Sequence, residues 1–287
     1  GLVDLAFSTN DEVQQDTSRA LANISSNEES HITMYKQACL SALVKLADSS
    51  IDITQRYAAM GLRFLAADPE VRILIVEDEK MEPFLVLSSS PLLEFRRTSA
   101  VALASFSLHE SSKAPMVRQG CIPAILSLSL DEDLAIKRDA VCTIANISDS
   151  LELQGDLMRE GVLRVLCNTS EHIDARVQRD SARTFSTLSQ TEDIKGEIIN
   201  QNALQAVLTL AKSLDIACQR YAALTLCNLC AGEQKVRIVE EGAIRPLIFL
   251  CRFPDVEIQR YASLALAGLA LGGHGDNKSR VVEEGAM

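Results

Sequence analysis

Aromatic residues and long hydrophobic runs are scarce in this sequence. Phe, Tyr and Trp together make up 4% of the 287 residues and Trp is absent, although 47% of the chain is hydrophobic. The core must therefore be built mainly of Leu, Ile, Val and Ala. No apolar run reaches the eighteen or so residues that a membrane span requires, and the first residues lack the basic region of a signal peptide. We expect a soluble, non-secreted protein of the cytoplasm or the nucleus.

Motifs of catalysis and cofactor binding are also missing. The sequence has no GxxxxGK[ST], GxGxxG or HExxH pattern, which argues against phosphate-binding loops and zinc hydrolase chemistry. Its four histidines, His31, His109, His172 and His274, lie between predicted helices without carboxylates at ligand spacing. We predict that the protein is not an enzyme and needs no cofactor or metal. A net charge of −11 would repel DNA and RNA, so a nucleic-acid partner is disfavoured.

A segment of about fifteen residues recurs seven times along the chain. Its anchor residue is usually Arg, and successive anchors are 41 residues apart five times and 40 apart once. The anchors are Gln15, Arg56, Arg97, Arg138, Arg179, Arg220 and Arg260. Such regular self-similarity is typical of solenoid proteins, in which each repeat covers the apolar face of its neighbour.

The positions after each anchor predict an amphipathic helix. Two residues after the anchor the side chain is small in every copy: Thr17, Ala58, Ser99, Ala140, Ser181, Ala222 and Ala262. Six residues after it the side chain is apolar: Leu21, Leu62, Leu103, Ile144, Phe185, Leu226 and Leu266. Nine residues after it the pattern is the same: Ile24, Leu65, Phe106, Ile147, Leu188, Leu229 and Leu269. We predict that these columns form the core, with the small residues where neighbouring helices cross closely.

Two further helices precede the anchor helix in each repeat. A short acidic helix such as VRIVEE is followed by Gly120, Gly161, Asn202 or Gly242, residues that suit a left-handed helix cap. Each of these residues begins a second helix, as in GAIRPLIFLCR. Each repeat is therefore predicted to contain a short helix, a turn and two longer helices, and the repeats to stack into a right-handed solenoid.

The pattern EEGAIRPLIFL followed by PDVEIQRYASLALAGLA resembles the armadillo repeat family. This resemblance implies an all-α, right-handed superhelical solenoid of about seven armadillo repeats with three helices each, forming one domain over residues 1–287. HEAT repeats are the nearest alternative, but the short first helix and the Gly-led second helix favour armadillo. Both ends interrupt a repeat, so we expect a fragment of a longer solenoid or a solenoid whose ends pack on partners.

The cysteines test whether the motif Cys227-x-x-Cys230 carries chemistry. In a reducing compartment this spacing can indicate a redox dithiol or half of a zinc site. The other repeats, however, place Ala or Ser in the columns of Cys227 and Cys230, except for one Arg, and both cysteines fall in the back half of a helix. We therefore predict that they fill the core. Cys142 is the one cysteine that we expect in an exposed column.

The residues one, four and eight positions after each anchor lie on a stripe that faces away from the core columns. The armadillo resemblance implies that this stripe lines a concave groove, where Asn at the eighth position clamps the backbone of an extended peptide. Asn23, Asn146 and Asn228 keep this Asn. Import receptors of the family carry Trp at the fourth position, which this sequence lacks.

The predicted groove combines polar and apolar side chains. We expect local ion pairs between Asp16 and Arg19 and between Asp180 and Arg183, which leaves Asp139 to offer its carboxylate to a partner. Apolar and aromatic residues cluster at two places along the stripe and suggest anchoring points. The predicted partner-binding residues are Asn23, Tyr57, Met60, Phe64, Asp139, Asn146, Asp180, Arg183, Tyr221, Leu224, Asn228, Tyr261 and Leu264.

The sequence thus favours a non-enzymatic scaffold or adaptor that binds an extended or partly helical segment of another protein. Two alternatives stay open. One is a nuclear cargo receptor similar to importin-α, against which the missing Trp column argues. The other is a regulatory or spacer module of a larger multidomain protein.

Overall fold

The computed structural model describes residues 1–271 and 276–285, so His274 lies outside the described part. The described chain is helical throughout and contains no strand. It divides into two compact units, residues 1–143 and 144–287. The prediction of one continuous domain over residues 1–287 stays a prediction.

The first unit contains the first two complete sets of repeat helices and most of a third. Its helices are α1 (Leu2–Leu5), α2 (Asp11–Ile24), a 3-10 turn (Glu28–Ser30), α3 (His31–Lys36), α4 (Cys39–Ala47), α5 (Asp52–Ala67), α6 (Pro69–Glu77), α7 (Glu82–Leu87), α8 (Leu93–Phe106), α9 (Glu110–Arg118), α10 (Cys121–Leu128) and α11 (Leu134–Ser148), which continues into the second unit. The helices that hold the anchor segments pack in sequence, α2 on α5 and α5 on α8.

The second unit repeats the same order of a short, a medium and a long helix. Its helices are α12 (Leu151–Arg159), α13 (Val162–Ser170), α14 (Ala175–Leu188), α15 (Glu192–Asn200), α16 (Leu204–Leu210), α17 (Ile216–Ala231), α18 (Lys235–Glu240), α19 (Ile244–Cys251), α20 (Val256–Leu271) and α21 (Asp276–Glu283). Here α14 packs on α17 and α17 on α20. The prediction of three helices per repeat is confirmed, and we call α2, α5, α8, α11, α14, α17 and α20 the third helices.

The predicted core columns are buried, with two exceptions. All seven small residues two positions after the anchor are at most 2% exposed, which lets adjacent third helices approach closely. The exceptions are Ile24, which is 39% exposed, and Leu266, which is half-buried. Both were predicted to be core residues. Each belongs to an outer third helix, α2 or α20, that packs on one neighbouring third helix instead of two.

The turn between the first and second helix has a left-handed residue in every repeat. The prediction for Gly120 (φ 82°), Gly161 (φ 83°), Asn202 (φ 59°) and Gly242 (φ 87°) is confirmed. Ala38 (φ 61°) and Glu79 (φ 57°) adopt the same conformation, which the sequence pattern did not reveal because neither residue favours it. The backbone of the turn is therefore set by the packing of the two helices, and glycine reduces its strain.

The anchor arginines join successive repeats. Arg97 Nη2 donates to Asp133 Oδ2 at 2.8 Å, and Arg220 Nη2 donates to Asp255 Oδ2 at 2.7 Å. In each pair the aspartate precedes the next third helix and also accepts a backbone N–H of its first turn. The hydrogen bond from arginine keeps the pKa of both carboxyls below the usual value.

A third pair joins Arg179 to Asp215 in the same way. Hydrogen bonding from Arg179 is the main reason that the pKa of Asp215 is lowered, and Asp215 caps α17 by accepting from the Cys218 N–H at 2.8 Å. We call these three contacts the inter-repeat Arg–Asp pairs. They explain why the anchor column is arginine, for which the sequence alone provided no reason.

Candidate partner-binding groove

The groove face consists of the side chains one, four and eight positions after each anchor. On α17 and α20 it brings together Tyr221, Leu224, Tyr261 and Leu264, which occupy equivalent positions on two packed helices. Three of them are half-buried and Leu264 is 50% exposed. The core columns of the same helices are buried except for Leu266, so these four residues form an apolar surface outside the core.

The tyrosines of the groove face differ from the tyrosine of the core. Tyr35 is 8% exposed, and its hydroxyl donates to Asp78 Oδ2 at 2.6 Å and lies 3.1 Å from the Leu74 carbonyl oxygen. By contrast, the hydroxyls of Tyr57, Tyr221 and Tyr261 make no hydrogen bond with any described residue. Each can therefore bond to a ligand without breaking a contact of the fold.

The asparagines at the eighth position are less exposed than the pattern suggested. Asn228 is half-buried, and its Nδ2 donates at 3.0 Å to Oγ of Ser189, the residue that follows the preceding third helix α14. Asn146 is 9% exposed, and its Oδ1 accepts from Arg183 Nη2 at 2.5 Å. Asn23 is exposed. The amides of Asn228 and Asn146 thus link neighbouring third helices in addition to facing the groove.

Gly268 occupies the eighth position on α20 for a steric reason. A Cβ atom at this position would lie 2.9 Å from the Cys230 carbonyl oxygen of α17. Only glycine allows the two helices to come this close. The loss of Asn in this repeat is therefore explained by helix packing.

The predicted ion pair between Asp180 and Arg183 is wrong. In the described chain Arg183 instead contacts Asn146 and lies 3.8 Å from the Asp149 carboxylate. Burial raises the pKa of Asp180, although the charges of three nearby arginines, Arg183 among them, lower it. The predicted Asp16–Arg19 pair is confirmed on α2.

In the first unit the groove face carries Tyr57, Met60 and Phe64 on α5, all half-buried. The Arg63 guanidinium carbon lies 6.0 Å from the centroid of the Phe64 ring, within the range of a cation–π contact. Met60 and Arg63 also line a pocket of about 330 Å³ between α5 and α8. Asp139 on α11 is half-buried and already interacts within the chain, so it is less available to a partner than we expected.

The cysteines of the CxxC motif are parts of the packing. Cys230 is fully buried, and burial raises the pKa of its thiol to about 12. Burial also raises the pKa of the half-buried Cys227. Both shifts disfavour the thiolate that redox or zinc chemistry requires. Cys142 is half-buried, not exposed as predicted.

The architecture agrees with a comparison of the sequence with family models. The model described as the Armadillo/beta-catenin-like repeat matches residues 110–149, 191–231 and 233–271, each of which covers one set of three helices. These three segments are armadillo repeats. The resemblance in the sequence is thereby confirmed. A comparison with curated proteins finds no match.

Solved structures of engineered and designed proteins, two of them named as armadillo repeat proteins, share this fold. An engineered protein from the Northeast Structural Genomics Consortium has a TM-score of 0.76 and is 27% identical, and the alignment covers 99% of this chain and 71% of that one. A computationally designed armadillo repeat protein for modular peptide recognition has a TM-score of 0.72 at 20% identity, covering 80% and 99%. A designed armadillo repeat protein in complex with the peptide (KR)4 has a TM-score of 0.68 at 20% identity, with the same coverage.

Among the residues that the structure describes, no group of three or more His, Cys, Asp or Glu side chains is arranged to hold a metal ion. No helix in this part of the chain is both long and apolar enough to cross a membrane. The groove face is therefore the candidate functional site that the described residues support best.

Proposed function

We propose that this chain is a non-enzymatic scaffold that binds an extended or partly helical segment of another protein along its groove face. The observation that carries the proposal is the pair of tyrosines and leucines on α17 and α20. Tyr221, Leu224, Tyr261 and Leu264 keep apolar surface exposed although their helices are otherwise well packed. Exposed tyrosine and apolar side chains of this kind are typical of protein interfaces.

The polar groups beside this surface suit an extended backbone. The tyrosine hydroxyls make no hydrogen bond to described residues, and the Asn228 side chain uses one N–H in its bond to Ser189. Its Oδ1 can accept from a peptide N–H, and the second N–H can donate to a peptide carbonyl. Main-chain bonds of this type would hold an extended segment while the leucines contact alternate side chains. The designed armadillo repeat proteins of the same fold, one made for peptide recognition and one in complex with a peptide, support a peptide ligand.

The cysteines support the cellular location that we infer. In the described chain the eight cysteines form no disulfide, and four of them are buried. This usage fits a reducing compartment, the cytoplasm or the nucleus.

The experiment is a selection of random 15-residue peptides on the purified protein, followed by affinity measurements by fluorescence anisotropy. Leu264→Asp places a charge on the groove face and should weaken the selected peptides by tenfold or more, since the carboxylate must be desolvated on binding. Leu151→Asp is the matched control, because Leu151 is 64% exposed but lies on α12, a helix that contributes no residue to the groove face. Equal affinities of both variants and the wild type would contradict the proposal.

A further inference from the structure

The inter-repeat Arg–Asp pairs are interrupted between α5 and α8. Asp133 follows its partner Arg97 by 36 residues, and Asp215 follows Arg179 by the same interval. The residue 36 positions after Arg56 is Leu92. Arg56 is exposed and has no hydrogen bond or ion pair with any residue in the described part of the chain. A guanidinium at a position that binds a carboxylate elsewhere in the fold therefore lacks its carboxylate here.

The surroundings of Arg56 combine this charge with apolar surface. Arg56 borders a pocket of about 210 Å³ that is also lined by Leu92, Leu93 and Phe95. Leu92 and Leu93 are 39% and 37% exposed. On its other side Arg56 borders the pocket of about 330 Å³ that contains Met60 of the groove face. A ligand at Arg56 would thus be continuous with the groove.

The local charges leave Arg56 able to attract an anion. Two acidic side chains, Asp52 and Glu94, line the same pocket. Glu94 Oε1 lies 3.6 Å from Arg97 Nη1 and is partly compensated by it. Arg63 adds a second positive charge on the side of the groove. Arg56 and Arg63 balance Asp52 and Glu94, so the charges around Arg56 sum to zero although the protein as a whole is acidic.

We propose that Arg56 binds an Asp or Glu side chain of the partner segment, which replaces the aspartate missing at Leu92. The inference rests on the proposed function and specifies the partner's chemistry. The geometry has a precedent inside the molecule, where Arg97 and Arg220 each bind a carboxylate through both Nε and Nη2. The hydrocarbon part of the partner residue, and an apolar neighbour, would pack on Leu92 and Leu93.

The test uses the peptides selected on the wild-type protein, with each acidic residue changed in turn to its amide. One Glu→Gln or Asp→Asn change should weaken binding about tenfold, the usual effect of losing a charge-assisted hydrogen bond. Arg56→Gln should weaken the binding of the original peptide by a similar factor. The peptide with the amide should bind this variant no more weakly than the original peptide does. Such coupling in a double-mutant cycle identifies a direct contact.

Leu92→Asp is the sharpest variant, because it supplies the missing carboxylate from within the chain. It should pair with Arg56 and weaken the acidic peptide about tenfold while leaving the folded protein at least as stable as the wild type in thermal unfolding. Arg220→Gln is the control, since it removes an arginine that already has Asp255 as its partner and should not change the preference for an acidic residue.

The outcomes separate this inference from the proposed function. The carboxylate site would be overturned if Met60→Asp or Leu264→Asp weakened the binding of the peptides while Arg56→Gln and Leu92→Asp left their affinity unchanged. The scaffold function would then remain in place. The proposed function, and this inference with it, would be overturned if neither Met60→Asp nor Leu264→Asp changed the peptide affinity, or if the selection yielded no binder.

Discussion

Both faces of helix α17 carry leucine, but in different environments. Leu226 and Leu229 on the core face are fully buried, whereas Leu224 on the groove face is half-buried beside Tyr221. The four positions lie within three turns of one helix, so their neighbourhood in the sequence does not tell buried from exposed residues. The number of residues that separates each from the anchor Arg220 does, because it decides on which face of the helix the side chain lies. The comparison indicates that one face of each third helix stabilises the fold and the other is available for binding.

The largest effect expected from this comparison is on stability. Leu226→Ala should lower the free energy of unfolding by about 2–5 kcal/mol, because it removes buried methyl groups and leaves a cavity. Leu224→Ala removes the same atoms from a half-buried site and should cost about 1 kcal/mol or less. Urea denaturation of both variants checks this difference. Equal losses would show that the two faces are not distinct.

The close approach of α17 and α20 should be the next most sensitive feature. Gly268→Ala would place a Cβ atom 2.9 Å from the Cys230 carbonyl oxygen and should destabilise the fold by about 1–3 kcal/mol through overpacking. Gly155 in α12 has no atom within 4 Å of an added Cβ, so Gly155→Ala should stabilise by roughly 0.5–1 kcal/mol. Thermal unfolding of the pair should give shifts of opposite sign, and shifts of the same sign would refute the steric explanation.

A smaller effect should distinguish the asparagines of the groove face from one another. Asn228→Ala removes the donor to Ser189 Oγ and should cost about 1 kcal/mol. Asn23 is exposed, so Asn23→Ala should change stability by about 0.5 kcal/mol at most. Chemical denaturation can resolve the two values. A loss at Asn23 as large as that at Asn228 would contradict the structural role assigned to Asn228.

The sequence predicted the architecture because each position of the repeat could be compared across seven copies. Columns of small or apolar residues identified the core and the crossing of the third helices. Gly120, Gly161 and Gly242 identified the turns, since glycine is favoured where φ is positive. Averaging over repeats fails at the ends of the array, where Ile24 and Leu266 lack a second neighbouring third helix and keep exposed surface.

Contacts between repeats were harder to predict than the repeat itself. In the three inter-repeat Arg–Asp pairs the aspartate is 35 or 36 residues after the arginine, and only a folded chain shows that the two side chains meet. Likewise, the hydrogen bonds from Asn228 to Ser189 and from Arg183 to Asn146 connect one repeat to the preceding one. The positive φ of Ala38 and Glu79 could not be predicted, because neither residue is of a type that favours this conformation. These features depend on packing between helices, which the pattern within one helix does not specify.

The central claim, that the groove face carries binding, can be tested directly by NMR. The leucine methyl groups would be isotopically labelled and followed while a selected peptide is titrated into the protein. We predict that the signals of Leu224 and Leu264 shift most, while those of buried Leu229 and of exposed Leu151 on α12 change little. Shifts at Leu151 with none at Leu224 and Leu264 would contradict the account.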